Sequence, residues 1–323
     1  MGHLLEVKDL KVTFALRFGD LTAIDGVSFT LDRKEKLGLV GESGAGKSVT
    51  GFSIINLISK PGFISEGKVI FEGLELQSLS DKDIRSIRGN RISMIFQDPM
   101  MTLNPVLTIG TQMIETVMAH KKVSKKEAAE IALEKLNKVY IPSPEKRLQQ
   151  YPHECSGGMR QRIVIAIALL TDPSLIIADE PTTALDVTIQ SQILRLIKDM
   201  QKEYGMGIIF ITHDLGVIAE VSDEVAVMYA GKVVEQASVF DIFKKPMHPY
   251  TKGLLSSIPR IDHPSKTALS TIEGMVPDLF HLPKGCRFEN RCDYSTDTCK
   301  EISPDLEPRG ENHLVSCIYK GDL

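Results

Sequence analysis

The sequence predicts an α/β core built on a mainly parallel sheet, with a helical insertion and a cysteine-containing C-terminal appendage. Three observations predict it. Short apolar runs bounded by turns, at residues 37–40, 175–178, 208–212 and 225–229, read as buried strands. Stretches of helical spacing alternate with them, the pattern of strands joined by crossover helices. After about residue 245 regular spacing gives way to prolines and cysteines.

Taken in order, residues 5–14 and 21–31 alternate apolar and polar side chains, which predicts a smaller antiparallel sheet near the start. The strand at 37–40 leads into a glycine-rich loop. Between about 98 and 162 the apolar period becomes helical, most clearly over 125–139, and this stretch reads as a helical insertion. Further on, Pro246, Pro249, Pro259, Pro264, Pro277, Pro283, Pro304 and Pro308 interrupt regular elements, and four of the five cysteines fall there. That texture predicts an appendage with little core of its own.

The chain has 323 residues, 42% apolar and 25% charged, enough for one large domain with an appendage. A net charge of −4 gives no basic excess of the kind that marks nucleic-acid binding. The richest apolar run, 163–170, is too short to span a bilayer. Glu6, Lys8, Asp9 and Lys11 stand where a signal peptide needs an apolar core, so a cytoplasmic chain is expected. In that compartment the cysteines are thiols or metal ligands rather than disulfides.

The loop Gly41-Glu42-Ser43-Gly44-Ala45-Gly46-Lys47-Ser48, with Val49 after it, fits G-x-x-x-x-G-K-[ST] between a strand and a helix. Glycines let backbone N–H groups curl around phosphate oxygens, and the helix N-terminus favours negative charge. Lys47 is expected to reach the β- and γ-phosphates of ATP and Ser48 to ligate Mg²⁺. The apolar strand 175–178 ends in Asp179 and Glu180: one acid to assist Mg²⁺, the other to polarise an attacking water.

Between these halves lies Cys155-Ser156-Gly157-Gly158-Met159-Arg160-Gln161-Arg162, which resembles the signature motif of ATP-binding-cassette (ABC) ATPases. Cys155 stands where that family has a bulky apolar residue. The resemblance covers about residues 4–236 and implies a P-loop NTPase (RecA-like) core with an antiparallel β subdomain. It implies that Ser156, Gly157, Gly158 and Met159 contact ATP held by a second subunit. Gln97 resembles the glutamine loop that senses Mg²⁺ and water, His213 the switch histidine, and Ala184-Leu185-Asp186 the D-loop. Phe14, or alternatively Phe18, is expected to stack on adenine.

His248-Pro249-Tyr250-Thr251-Lys252-Gly253-Leu254-Leu255 and Ser257-Ile258-Pro259 look like the run after the cassette in oligopeptide, dipeptide and nickel importers. Asp98-Pro99-Met100-Met101-Thr102-Leu103-Asn104-Pro105 and the tail around Gly285-Cys286-Arg287-Phe288 fit the same branch. The resemblance implies an ATPase domain over 1–245, with its helical subdomain at about 98–162, and an appendage over 246–323. It implies a peripheral protein on the cytoplasmic face of the membrane, coupled to two permeases and a second ATPase, and indirectly to an extracytoplasmic solute-binding protein. Nickel import, export, and a soluble redox-sensing or regulatory ATPase are the alternatives.

Cys286, Cys292, Cys299 and Cys317 are spaced C-x5-C-x6-C-x17-C. Structural zinc prefers closer pairs of thiolates, whereas longer spacings suit an iron–sulfur cube. A [4Fe–4S] cluster is therefore expected, with Zn²⁺ or unligated thiols as alternatives.

Overall fold

The computed structural model describes residues 2–183, 185–258 and 271–321. Of the residues singled out above, Ala184, Pro259 and Pro264 lie outside them. The described residues fall into two compact units, one within Met1–Leu31, Glu35–Gln77 and Phe210–Leu323, the other within Asp32–Lys34 and Ser78–Ile209.

The first unit opens with β1 (Leu5–Leu16) and β2 (Gly19–Leu31), paired antiparallel as their alternation predicts. The five-residue strand β3 (Lys36–Val40) leads through the glycine-rich loop into α1 (Lys47–Ile54). β4 (Gly62–Phe71) and β5 (Leu74–Glu75) complete a four-stranded sheet of order β2-β1-β4-β5. Leu5, Leu10, Val12, Ile24 and Val69 are fully buried on its inner face.

The second unit begins with α2 (Asp81–Ile87), capped by Ser80, and β6 (Ile92–Ile95). The helical insertion follows as α3 (Pro99–Thr102), α4 (Ile109–His120), α5 (Lys125–Lys138), α6 (Pro144–Leu148) and α7 (Gly157–Ala168). Its helix starts are written locally: Asp98, Thr108, Ser124 and Ser156 each accept a backbone N–H, and Ser124 with Glu127 forms a reciprocal capping box. Ile163, Val164, Ile165 and Ala166 of α7 are buried in succession, so this helix is enclosed on most sides. β7 (Leu175–Asp179) is buried along its whole length and pairs in parallel with β6. An Asp186 cap and a left-handed Gly205 bound the amphipathic α8 (Val187–Tyr204).

β8 (Gly207–Thr212) carries the chain back to the first unit, where α9 (Leu215–Val221) follows. β9 (Glu224–Tyr229) lies parallel to β3, and β10 (Lys232–Ser238) returns antiparallel to β9. α10 (Val239–Lys244) and α11 (Pro249–Ser256) lead into the tail, which holds α12 (Asp297–Glu301), β11 (Glu307–Gly310) and β12 (His313–Val315).

The chain beyond residue 245 packs within the first unit. β12 pairs with β10, extending the sheet that holds β3 and β9. Glu235 of β10, fully buried, accepts from the backbone N–H of Met247 and His248 and from Nε2 of His313 at 2.7 Å. Phe288 packs among Tyr229, Tyr250 and His248. The tail takes its core from the unit it packs into, so its own sequence looks poor in apolar residues.

Candidate nucleotide site

In the first unit the phosphate loop is shaped by what its glycines avoid. A Cβ on Gly41 would stand 2.1 Å from the carbonyl oxygen of Met228 on β9. Gly46, at φ 98, precedes α1 and lies against the carbonyl oxygen of Ala23. Lys47 is buried, and its ammonium donates to the carbonyl oxygens of Gly41 (2.7 Å) and Glu42 (3.0 Å). The lysine thus folds over its own loop. These acceptors are neutral, so an anionic oxygen in their place would add charge on the acceptor side as well.

Glu42 is held from the tail. Its backbone N–H donates to the Tyr250 hydroxyl at 2.9 Å, and its carboxylate receives both Arg291 terminal nitrogens, at 2.7 and 3.1 Å. Phe14 sits half-buried with its ring against Gly62, while Phe18 is 95% exposed at the β1–β2 turn. His213, exposed, follows the last residue of β8 and precedes Asp214, which caps α9.

In the second unit the acid pair leaves β7 as expected. Asp179 is buried, and Glu180 adopts a left-handed backbone, φ 44, that a non-glycine residue adopts only under restraint. Its carboxylate accepts from Gln97 Nε2 and from Thr183 Oγ1, both at 2.8 Å. Gln161 fixes the same turn by donating to the Pro181 carbonyl at 2.6 Å. A carboxylate held by two donors in a restrained turn can orient and polarise one water. Thr183 escaped the sequence reading, and Gln161 entered it only within the run 155–162, with no role; the one hint of Thr183 is its place three residues beyond Glu180.

Ser156 caps α7 by accepting the Met159 N–H at 3.3 Å. Gly157 and Gly158 pack close to Leu185 and Ile189, where a Cβ on Gly158 would stand 3.1 Å from Ile189. Cys155 is buried, so the departure from a bulky residue is accommodated. Burial pushes its thiol pKa up. Asp186 caps α8.

The tail cysteines are all free. Cys286, Cys292, Cys299 and Cys317 line one small cavity together with His248, Phe288 and Tyr294. Burial is the main cause that pushes the Cys286 and Cys292 thiols up to about 11, and it raises Cys317 as well. Among the described residues no group of three or more His, Cys, Asp or Glu side chains has the geometry to hold a metal ion. The expected metal centre therefore has no ion-sized ligand group here, only four thiols around a common space. Among the described residues, too, no helix is long and apolar enough to cross a membrane.

Comparison with known proteins gives these features a setting. The family described as "ABC transporter" matches residues 24–183, and "Oligopeptide/dipeptide transporter, C-terminal region" matches 234–299. The oligopeptide transport ATP-binding protein OppD of Bacillus subtilis (strain 168) is 52% identical over 314 residues, covering 97% of this chain and 88% of the relative. The dipeptide transport ATP-binding protein DppD of the same organism is 51% identical over 318 residues, covering 98% and 95%. Among solved structures, a dimeric ATP-binding cassette in a post-hydrolysis state, bound to ADP and Pi, aligns with TM-score 0.66 at 26% identity, over 73% of this chain and 98% of that one. That likeness bears out the P-loop NTPase core expected from the motifs. The chain belongs to the ABC transporter ATPases, in the branch that carries the oligopeptide/dipeptide C-terminal region.

Proposed function

We propose that this ATPase powers an importer of di- and oligopeptides, coupling ATP binding and hydrolysis to movement of partner permeases. The observation that carries the peptide reading is the match of residues 234–299 to the oligopeptide/dipeptide C-terminal region. It favours peptides over nickel, and transport over a soluble regulatory role. The chain would act at the cytoplasmic face of the membrane with two permeases and a second, related ATPase. Residues 1–245 would form the ATPase domain, with its helical subdomain at about 98–162, and 246–323 its appendage.

Residues 41–49 would cradle the phosphates, with Phe14 against adenine. The hydroxyl, amide and carboxylate oxygens of Ser48, Gln97 and Asp179 are hard donors suited to Mg²⁺, which would neutralise phosphate charge. Glu180 would polarise the attacking water, with Gln97 and Thr183 fixing its carboxylate. His213 would meet the γ-phosphate. Ser156, Gly157, Gly158 and Met159 would serve the partner's nucleotide, beside the loop containing Leu185 and Asp186. The tail reading extends to a [4Fe–4S] cluster on Cys286, Cys292, Cys299 and Cys317, supported by their common cavity and by a donor set of four thiols.

The test is uptake of labelled di- and oligopeptides by proteoliposomes holding the assembled transporter. Wild-type uptake should require ATP. Glu180→Gln should keep nucleotide binding yet cut turnover by about 10²–10⁴, the usual worth of a positioned base. Near-normal hydrolysis by Glu180→Gln would remove that residue from its role, and ATP-dependent uptake of nickel but not peptide would overturn the substrate class.

A further inference from the structure

We propose that Arg291 is a positioning residue for nucleotide binding: from the tail, it clamps and neutralises the one carboxylate of the phosphate loop. Glu42 is the only acidic residue within 41–48. Left free, its charge would stand beside the oxygens of a bound polyphosphate and repel them. Arg291 meets it with two parallel N–H bonds, at 2.7 and 3.1 Å, the fork geometry that holds a carboxylate in one orientation.

The guanidinium is itself fixed. Its side chain is only 4% exposed. Nε donates to the Glu273 carbonyl at 3.0 Å and a terminal nitrogen to the Ile272 carbonyl at 3.2 Å. The Tyr229 and Phe288 rings flank it. A second contact from the tail grips the same loop residue, since the Tyr250 hydroxyl accepts the Glu42 N–H. Tyr250 is fully buried and packs on Tyr229 and Phe288, so both grips come from one aromatic cluster. One loop residue is thus held through side chain and backbone by residues more than 200 positions away.

Two consequences separate this clamp from ordinary packing. Removing Arg291 frees a negative charge next to the phosphates and should weaken nucleotide binding. Neutralising Glu42 in the same chain removes that charge and should restore binding, which a merely structural arginine would not allow.

The inference rests on the reading of the loop as the ATP site, and the experiment separates the two. The affinity of the full-length chain for a fluorescent ATP analogue with Mg²⁺ is measured by titration. Arg291→Met should weaken binding about tenfold, the scale of one charge-assisted pair. Arg291→Lys keeps the charge without the fork and should fall between it and the wild type. The double variant Arg291→Met with Glu42→Gln should recover most of the loss. Unchanged affinity in Arg291→Met, or a double variant no better than Arg291→Met, overturns the clamp. A wild type that does not bind the analogue overturns the site reading, and the clamp with it.

Discussion

Glu224 opens β9 among charges of its own sign. Burial and the neighbouring carboxylates of Glu35, Asp241 and Asp223 push its pKa up to about 7, opposed only by His313. A carboxyl that keeps its proton longer when folded stabilises the fold fully below its unfolded pKa, near 4.5, and loses that contribution as pH rises through 7. At pH 8 the native state therefore carries an unfavourable ionised group. Glu224→Gln should raise stability at pH 8 by about 1–2 kcal/mol, allowing for the solvent that still reaches the group, and the gain should vanish towards pH 4. Thermal melts of both proteins at the two pH values check this; equal gains at both would assign the effect to packing. Glu180 shows the opposite use of a carboxylate. It sits in a left-handed turn, where two side-chain donors hold its carboxylate.

Most elements are legible in the sequence because their causes are local. The strand at 37–40 is observed as Lys36–Val40 and the helix at 125–139 as Lys125–Lys138, since apolar period and capping residues both act within a few positions. The tail strands β11 and β12 are not legible, because Pro308 and a three-residue strand mean little until β10 offers an edge. α11 shows both kinds of cause. Pro249 at its first turn is a local signal, but its cap is His248, whose Nδ1 accepts the Tyr250 N–H at 3.1 Å. That bond needs an unprotonated Nδ1. Burial lowers the His248 pKa to about 4, although the Glu235 carboxylate pulls the other way. A depressed histidine contributes stability above its unfolded pKa, near 6.5, and that contribution is lost as pH falls through 4. Asn caps helices well without titrating, so His248→Asn should flatten the acid side of the stability profile while losing some stability at pH 7 from the missing ring. Urea midpoints between pH 7 and 4 decide it, and an unchanged acid slope would acquit His248.

At the scale of the molecule, the phosphate and acid motifs announce themselves in sequence, while what holds them does not. Glu42 meets Arg291 across 249 positions and Arg287 bonds Asp25 across 262, separations that no local pattern encodes. The cysteines stand between these cases, since their spacing suggests a shared ligand and the fold brings them round one cavity. Thiols pushed up to about 11 by burial are protonated at neutral pH, so a metal must displace those protons to bind. Such a site loads less readily as pH falls. On the proposed cluster reading, anaerobically purified full-length protein should carry about four irons and matching sulfide per chain, with broad visible absorbance from thiolate-to-iron charge transfer. Cys299→Ser should lose the iron and expose the tail to limited proteolysis at low protease concentration, because a bound metal adds order that the proline-rich sequence lacks. Stoichiometric zinc without iron would replace the cluster by a single ion. Protein free of both metals, with a tail as protease-resistant as before, would show that Tyr229, Tyr250, Phe288 and the Glu235–His313 pair hold the tail without any metal.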